Sequence, residues 1–393
     1  MIITYKGWRD DNFSVPNDVY VGGSLFSSIL DVPYQQVKIV AKSGAPYSTI
    51  TAAQTAITDN SSSKIYTVLV FPGEYDEALT LKDYVNIVAI DPFNTYILRQ
   101  VTDDGVAVHC NLRINIDNRQ IGGSHGLYLK AASVIRFDGN IIGADGSGDG
   151  GSGIYNGAEG EIIVINGNIT GGKNGYTYTN SGNGIYNHSA GKITVLNSNV
   201  TGGDNEYINS NAGQGIRNYS TGTIIVLNSN AIGGKSAHFG GTGINNYSNG
   251  TIIFSNGNVT GGNGINYGDG GSGISNISTG TVTFSNVIIK GGKCGDLGGN
   301  DGKGIYNGST GLVKVSNGKI TSLGTKSNSY PISGGSVILD NCIIYGIHAD
   351  VPAIYADEAK NVKCMNVWSN RALGANITNL IADGFHVDAD VEI

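Results

Sequence analysis

Proline, tryptophan, methionine and cysteine are all scarce in this 393-residue chain, at 7, 2, 2 and 4 residues, and charged residues fill only 14% of positions. Each shortage closes off a class of protein. Cys110, Cys294, Cys342 and Cys364 have no Cys-x-x-Cys spacing, so no metal site, redox motif or cofactor is expected and the thiols read as small buried residues. The 24 Lys and Arg are scattered and outnumbered by 31 Asp and Glu, for a formal charge of −7. A nucleic-acid partner calls for clustered cations, and none is expected here. No apolar run approaches the roughly 18 residues of a spanning helix, so no membrane span is expected either. Met1 to Lys6 lack the charged start and apolar core of a signal peptide. That absence leads to the expectation of a virion or extracellular-surface protein released by another route, or of a chain trimmed of its signal.

Glycine is abundant instead, at 61 residues, and without a three-residue period. It falls inside a longer one. Gly153-Ile154-Tyr155-Asn156 returns at Gly184, Gly215, Gly243, Gly273 and Gly304, at steps of 31, 31, 28, 30 and 31 residues, each time with Ile next and Asn third after Gly. A β-branched run follows each copy, then usually a Gly-Gly pair. A fixed period of this size means a stacked repeat. Helical repeats need a 3.6-residue apolar period, whereas the period here is two. In register, Ile162, Ile193, Ile224, Ile252, Val282 and Val313 form one column, and Val164, Val195, Val226, Phe254, Phe284 and Val315 another. Both should point inward, with the mixed residues between them pointing out.

The fold class that follows is all-β: a single-stranded right-handed parallel β-helix, a solenoid with a short N-terminal capping helix. It should have about ten coils and a length of roughly 50 Å at the β spacing. The hand follows from the strong right-handed preference of parallel β connections. Two asparagine columns support the stack: Asn156, Asn187, Asn218, Asn246, Asn276 and Asn307, and Asn166, Asn197, Asn228, Asn256, Asn286 and Asn317. Stacked amides can donate to one neighbour and accept from the other where the backbone bends. The rival reading takes triplets such as Asn168-Ile169-Thr170, Asn187-His188-Ser189, Asn218-Tyr219-Ser220 and Asn246-Tyr247-Ser248 as glycosylation acceptors.

Three segments result. Residues 1–36 carry no trace of the repeat and read as an attachment or packing segment; residues 37–365 read as the β-helix, regular over 153–321; residues 366–393 read as a C-terminal cap or oligomerisation segment. Ser48 and Thr49 offer an N-cap for a helix over Ile50 to Ile57, whose Ile50, Ala53 and Ile57 share a face that can cover the open end of the stack. From Val37 to Glu77, ending in Gly73-Glu74-Tyr75-Asp76-Glu77, the chain resembles the pectin-degrading β-helix proteins, pectin methylesterases in particular. In that family a strand, a capping helix and a Gly-x-Tyr-x-Glu turn open the coil stack. The Gln-Asp-Thr-Leu, Asp-Phe-Ile-Phe-Gly and Arg-Pro-Trp segments on which esterase catalysis depends are not in the sequence, so the resemblance implies the fold and not the activity.

The one variable part of each coil lies between Gly-Gly and the next Gly-Ile, and stacking must bring these parts to one side of the rod. They hold Tyr176, Tyr178, Tyr207, His238, Phe239 and Tyr267, the candidate glycan-binding residues, amid aspartates and amides. Rings suit the apolar faces of sugars, and amides and carboxylates suit their hydroxyls. Ordinary turn residues or a subunit interface are the competing readings of the same segments. A second outward column, Tyr155, Tyr186, Arg217, Asn245, Ser275 and Tyr306, could extend that surface. For catalysis the candidate pairs are Asp145 with Asp149, Asp296 with Asp301, and Arg217 with Asp204; none has a spacing that fixes a distance, and no catalytic residue is assigned. Gly143 to Gly150 hints at calcium but lacks a nonapeptide repeat, so no metal is assigned. The expected function is a non-enzymatic rod of the tail-spike or adhesin kind that binds cell-surface polysaccharide, with a polysaccharide lyase or glycosidase as the alternative. Outward Ile163, Ile165, Leu196, Ile225, Leu227 and Ile253 on adjacent coils lead to the expectation of a homo-oligomer, three-fold by preference.

Overall fold

The computed structural model describes residues 20–21, 24–25, 36–120, 122–323, 330–346, 352–355, 361–372 and 379–387. Most of the proposed attachment segment 1–36, and residues 373–378 and 388–393 of the proposed C-terminal segment, lie outside the described residues.

Three parallel sheets wind into one solenoid. In the first, the long-strand sheet, rungs begin at Val37, Tyr66, Val85, His109, Val134, Glu161, Lys192, Thr223, Thr251, Thr281, Leu312, Ser336, Asn361 and Asn379, fourteen in all, each paired in parallel with the next. In the second, the Gly-Ile sheet, Leu79, Val101, Leu127, Ile154, Ile185, Ile216, Ile244, Ile274, Ile305, Ile332 and Ile354 stand over one another, eleven rungs. The third, the short-strand sheet, stacks Ile116, Ile141, Ile169, Val200, Ala231 and Val259 in the same manner. Eleven rungs of the Gly-Ile sheet agree with the expectation of about ten coils; the long-strand sheet has more because incomplete turns extend both ends.

The period-two pattern is why these residues form strands with one dry face. Ile162, Val164, Ile193, Val195, Ile224, Val226, Ile252 and Phe254 are all fully buried, as are Ile154, Ile185, Ile216, Ile244, Ile274 and Ile305. Each such side chain contributes about 1.5–3 kcal/mol of transfer free energy relative to exposure. Glycine is required where coils touch: a Cβ on Gly172 would lie 1.9 Å from the Ala144 carbonyl oxygen, and one on Gly184 would lie 2.7 Å from the Gly215 carbonyl oxygen. Any side chain there would push two coils apart.

Both asparagine columns sit at bends, in different roles. Asn156 Nδ2 donates to Asn187 Oδ1 at 2.8 Å, and the chain of bonds runs on through Asn218, Asn246, Asn276 and Asn307 at 3.0, 3.0, 3.0 and 3.1 Å, all of it sealed from solvent. Burial rules out glycosylation of Asn187, Asn218 and Asn246, whereas Asn168 is exposed. The other column is at the surface with φ near +50°: Asn166, Asn197, Asn228, Asn256, Asn286 and Asn317, continuing to Asn341 and Asn366. A third amide ladder, absent from the sequence reading, joins Asn140, Asn168, Asn199, Asn230 and Asn258.

At the N-terminal end a helix spans Ile50–Thr55, shorter than the Ile50 to Ile57 expected, with Ile57 still buried beside it. Thr49 caps it, its hydroxyl accepting from Ala52 N at 3.2 Å. Glu77 caps it a second time: its carboxylate accepts from Ile50 N at 2.7 Å and from Thr51 N at 2.9 Å. The Gly73 to Glu77 turn therefore ties the lid to the first coils. Beyond residue 365, the strands Asn361–Ser369 and Asn379–Val387 continue the stack into the stretch read as a separate end segment. No Gly-Ile-x-Asn signature marks them, and their alternating burial at Val362, Cys364 and Val367 is too brief to read without it. The outward apolar strip is also thinner than expected. Of its six residues only Ile253 is exposed, and Ile163, Ile165, Leu196, Ile225 and Leu227 are half-buried, flanked by their own copies one coil away.

Candidate functional site

The variable loops stack in register on one side, as the backbone pairs Asn205 with Ser236, Ser236 with Gly264, Asn211 with Phe239 and Phe239 with Asp269 record. Tyr176, Tyr178, Tyr207, Phe239 and Tyr267 project from them, Tyr178 being 79% and Tyr267 69% exposed. His238 is half-buried against Phe239, ring centroids 4.0 Å apart. The other four rings are exposed and have no ring partner among the described residues.

The loop carboxylates, by contrast, are committed to the scaffold. Asp145 and Asp204 accept from Lys173 N and Lys235 N, both at 2.8 Å, and Asp149 and Asp269 accept from Asn180 N and Asn300 N, both at 2.6 Å. Each bond joins one coil to the next. Asp301 is buried and accepts from Cys294 N at 2.8 Å, while Asp296 is exposed. No ion pair joins Arg217 to Asp204: the guanidinium lies instead over the rings of Tyr186, Tyr219 and Tyr247, at 4.9, 5.2 and 5.3 Å from their centroids. Among the described residues no three His, Cys, Asp or Glu side chains come together in a way that could hold a metal ion, and no helix is long and apolar enough to cross a membrane.

Arg217 belongs to a second aromatic feature, along the Gly-Ile sheet. Its rings stack as His125 on Tyr155 at 4.4 Å, Tyr155 on His188 at 5.9 Å and His188 on Tyr219 at 5.6 Å, with Tyr247 a further 5.6 Å along. Tyr128 and Tyr186 meet this row edge-on. Burial pushes the His125 imidazole down to about 4, so it is neutral at pH 7 and accepts from Ser152 N through Nδ1 at 3.0 Å. Burial likewise raises the Tyr155 and Tyr186 phenols, and the charge of Arg217 partly offsets this at Tyr186. Of the outward column read from the sequence, Tyr155, Tyr186 and Arg217 take part, but Asn245 and Ser275 are buried, at 6% and 8% exposure. Sequence reasoning missed His125, Tyr128, His188, Tyr219 and Tyr247. The signal for three of these was the residue after each ladder asparagine, which reads Gly157, His188, Tyr219, Tyr247, Ile277 and Gly308.

Tyr219 and Tyr247 also wall an open groove of about 610 Å³ at the corner where the Gly-Ile sheet turns into the long strands. Three successive coils line it with Tyr219-Ser220-Thr221, Tyr247-Ser248-Asn249 and Ile277-Ser278-Thr279. Ser220 and Ser278 spend their hydroxyls on the carbonyls of Ser189 and Ser248 in the preceding coils, but Ser248 Oγ has no partner.

With its three parallel sheets wound into one solenoid, the chain is an all-β parallel β-helix. No protein-family profile matches the sequence, and no curated protein does. The crystal structure of a pectate lyase, Pel9A, is similar at 16% identity and a TM-score of 0.43, over 90% of this chain and 80% of that one. A likeness of that degree assigns no chemistry to this chain.

Proposed function

We propose that the chain is a non-enzymatic, glycan-binding rod, a tail-spike or adhesin component that holds cell-surface polysaccharide along its stacked loops. One observation carries the reading: Tyr176, Tyr178, Tyr207 and Tyr267 are exposed on loops fixed to their neighbours by backbone pairs and carboxylate bonds. Rigid rings stack on apolar sugar faces at little entropic cost. Rings repeated along a rod suit a linear polymer lying parallel to the axis, each coil meeting a new stretch of chain. Asp145, Asp149, Asp204 and Asp269 brace the coils, which supports binding over hydrolysis.

Affinity electrophoresis of the full chain through gels cast with neutral and acidic polysaccharides tests this. The expected result is retardation by at least one polysaccharide, weakened about two- to tenfold by Tyr178→Ala, the worth of one aromatic contact. New reducing ends or unsaturated products after incubation would replace this reading with a glycosidase or a lyase. A three-fold assembly of rods belongs to the same proposal, and light scattering at about three times the 40.8 kDa chain mass is its expected signature; a mass of one chain would remove it.

A further inference from the structure

An asparagine followed by glycine is open to attack on its own side chain, because the next backbone nitrogen is not screened by a Cβ. The chain has nine such pairs. Asn156, Asn174, Asn183 and Asn307 are buried, so water and base do not reach their amides. Of the five that are exposed, Asn166 and Asn263 precede glycines whose N–H is bonded: Gly167 N donates to Ser198 Oγ at 3.1 Å, and Gly264 N to Lys293 O at 2.7 Å. Asn256 and Asn317 lie inside the continuous strands Thr251–Thr260 and Ile305–Ser322, where the ladder on both sides holds the backbone. The fifth, Asn249-Gly250, is in the turn between a Gly-Ile strand and a long strand. In the neighbouring coils the glycine of this turn donates to the serine two residues before it: Gly191 N to Ser189 Oγ at 3.3 Å, Gly222 N to Ser220 Oγ at 3.2 Å and Gly280 N to Ser278 Oγ at 3.2 Å. Ser248 Oγ, at the same place, has no partner, and Gly250 N has no acceptor among the described residues. The Thr279 hydroxyl of the next coil meanwhile donates to Asn249 Oδ1. The nucleophile is unclaimed, and the carbonyl it would attack is polarised.

We propose that Asn249 is a self-modification site, deamidated by the Gly250 nitrogen with the Thr279 hydroxyl as oxyanion donor. Base takes the Gly250 N–H proton, and the nitrogen's electron pair forms a bond to Asn249 Cγ. The displaced carbonyl pair moves to Oδ1, where Thr279 already donates. The carbonyl re-forms as the side-chain nitrogen leaves, protonated by water, as ammonia; a five-membered succinimide remains. Water then opens the ring. Breaking the bond from Gly250 N to Cγ restores the main chain with aspartate at 249, and breaking the bond from Gly250 N to the main-chain carbonyl carbon gives isoaspartate, whose main chain runs through Cβ. One water enters and one ammonia leaves, with no change of oxidation state. Either product places a carboxylate in a corner depression whose lining carries no charge. Isoaspartate also adds an atom to the main chain just ahead of the strand Thr251–Thr260, so the rod changes at this coil as it ages. None of the loop-face residues takes part.

Peptide mapping by mass spectrometry tests this on the folded full chain, incubated in mildly alkaline water enriched in heavy oxygen so that each event during the incubation carries its label. Asn249 is expected to convert first, roughly tenfold faster than Asn166, Asn256, Asn263 or Asn317. Thr279→Val should slow it by about tenfold, the loss of one oxyanion donor at an open site, and Thr279→Ser should restore most of the rate. Thr279 is exposed, so neither variant disturbs the core, and circular dichroism verifies the fold. In chain unfolded by urea the nine pairs should converge on one rate, and Thr279→Val should have no effect. The proposal is overturned if another Asn-Gly pair matches Asn249 in the folded chain, if Thr279→Val leaves the folded rate unchanged, or if the ranking of the sites persists in the unfolded chain.

Discussion

Replacing Asn218 by alanine should destabilise the rod more than the same change at Asn156 or at the outer bends, and the amounts can be worked from the hydrogen bonds. Asn218 is fully buried; its Nδ2 donates to Asn246 Oδ1 at 3.0 Å and to Gly222 O at 3.3 Å, and its Oδ1 accepts from Asn187 Nδ2 at 3.0 Å. Gly222 O keeps a second donor, Thr251 N, and Asn187 Nδ2 keeps Gly191 O, so the group left without a partner is Asn246 Oδ1. An unsatisfied buried acceptor costs about 1–3 kcal/mol, and each of the two further bonds lost about 1 kcal/mol, for a total of about 3–5 kcal/mol. Asn156→Ala also strands an acceptor, Asn187 Oδ1, but it removes an Asn156 Oδ1 that already has no partner, so the two effects offset to about 1 kcal/mol. Asn228, exposed at φ +51°, should cost about 1–2 kcal/mol as alanine through backbone strain. Guanidinium unfolding followed by far-ultraviolet circular dichroism measures the series, with equal m-values as the condition for comparing midpoints. Equal losses at Asn156 and Asn218, or a loss under about 0.5 kcal/mol at Asn218, would refute a cooperative buried ladder.

Glu77→Ala removes two backbone caps from the lid helix and should cost about 1–2 kcal/mol in the same assay, with Glu77→Gln losing less because a neutral oxygen still accepts; an unchanged midpoint would mean that the lid is not coupled to the stack. Arg217→Gln should raise the Tyr186 phenol further above its ordinary 10.0, since burial raises it and the arginine's charge opposes that; spectrophotometric titration against Tyr186→Phe isolates the group. The sign for stability follows: a phenol raised in the folded state leaves stability intact below pH 10, loses it as pH rises through the folded value, and loses more of it without Arg217.

The inward columns were legible because six copies of one position must all satisfy one dry interior. Ile154, Ile185, Ile216, Ile244, Ile274 and Ile305 leave little else to infer. The division of labour between the two asparagine columns was not legible. A bend can use the Asn amide as a buried link or the Asn backbone in the left-handed region, and both produce the same letter every coil. The coil ends were opaque for the opposite reason: Asn379–Val387 pairs as a rung without carrying any residue of the signature.

The aromatic row along the Gly-Ile sheet was hidden by a change of position midway along the rod. The first rings of the row, Tyr128, Tyr155 and Tyr186, occupy the residue before the end of the Gly-Ile strand, and the later ones, His188, Tyr219 and Tyr247, occupy the residue after the ladder asparagine. A column search follows one position and so sees two broken rows. Distance sees one row, since rings from either position reach the same line at 4.4 to 5.9 Å. The coil of Tyr186 and His188 carries a ring at both positions; in the next coils the earlier position holds Arg217, Asn245 and Ser275, and the later one holds Tyr219 and Tyr247, which line the corner depression.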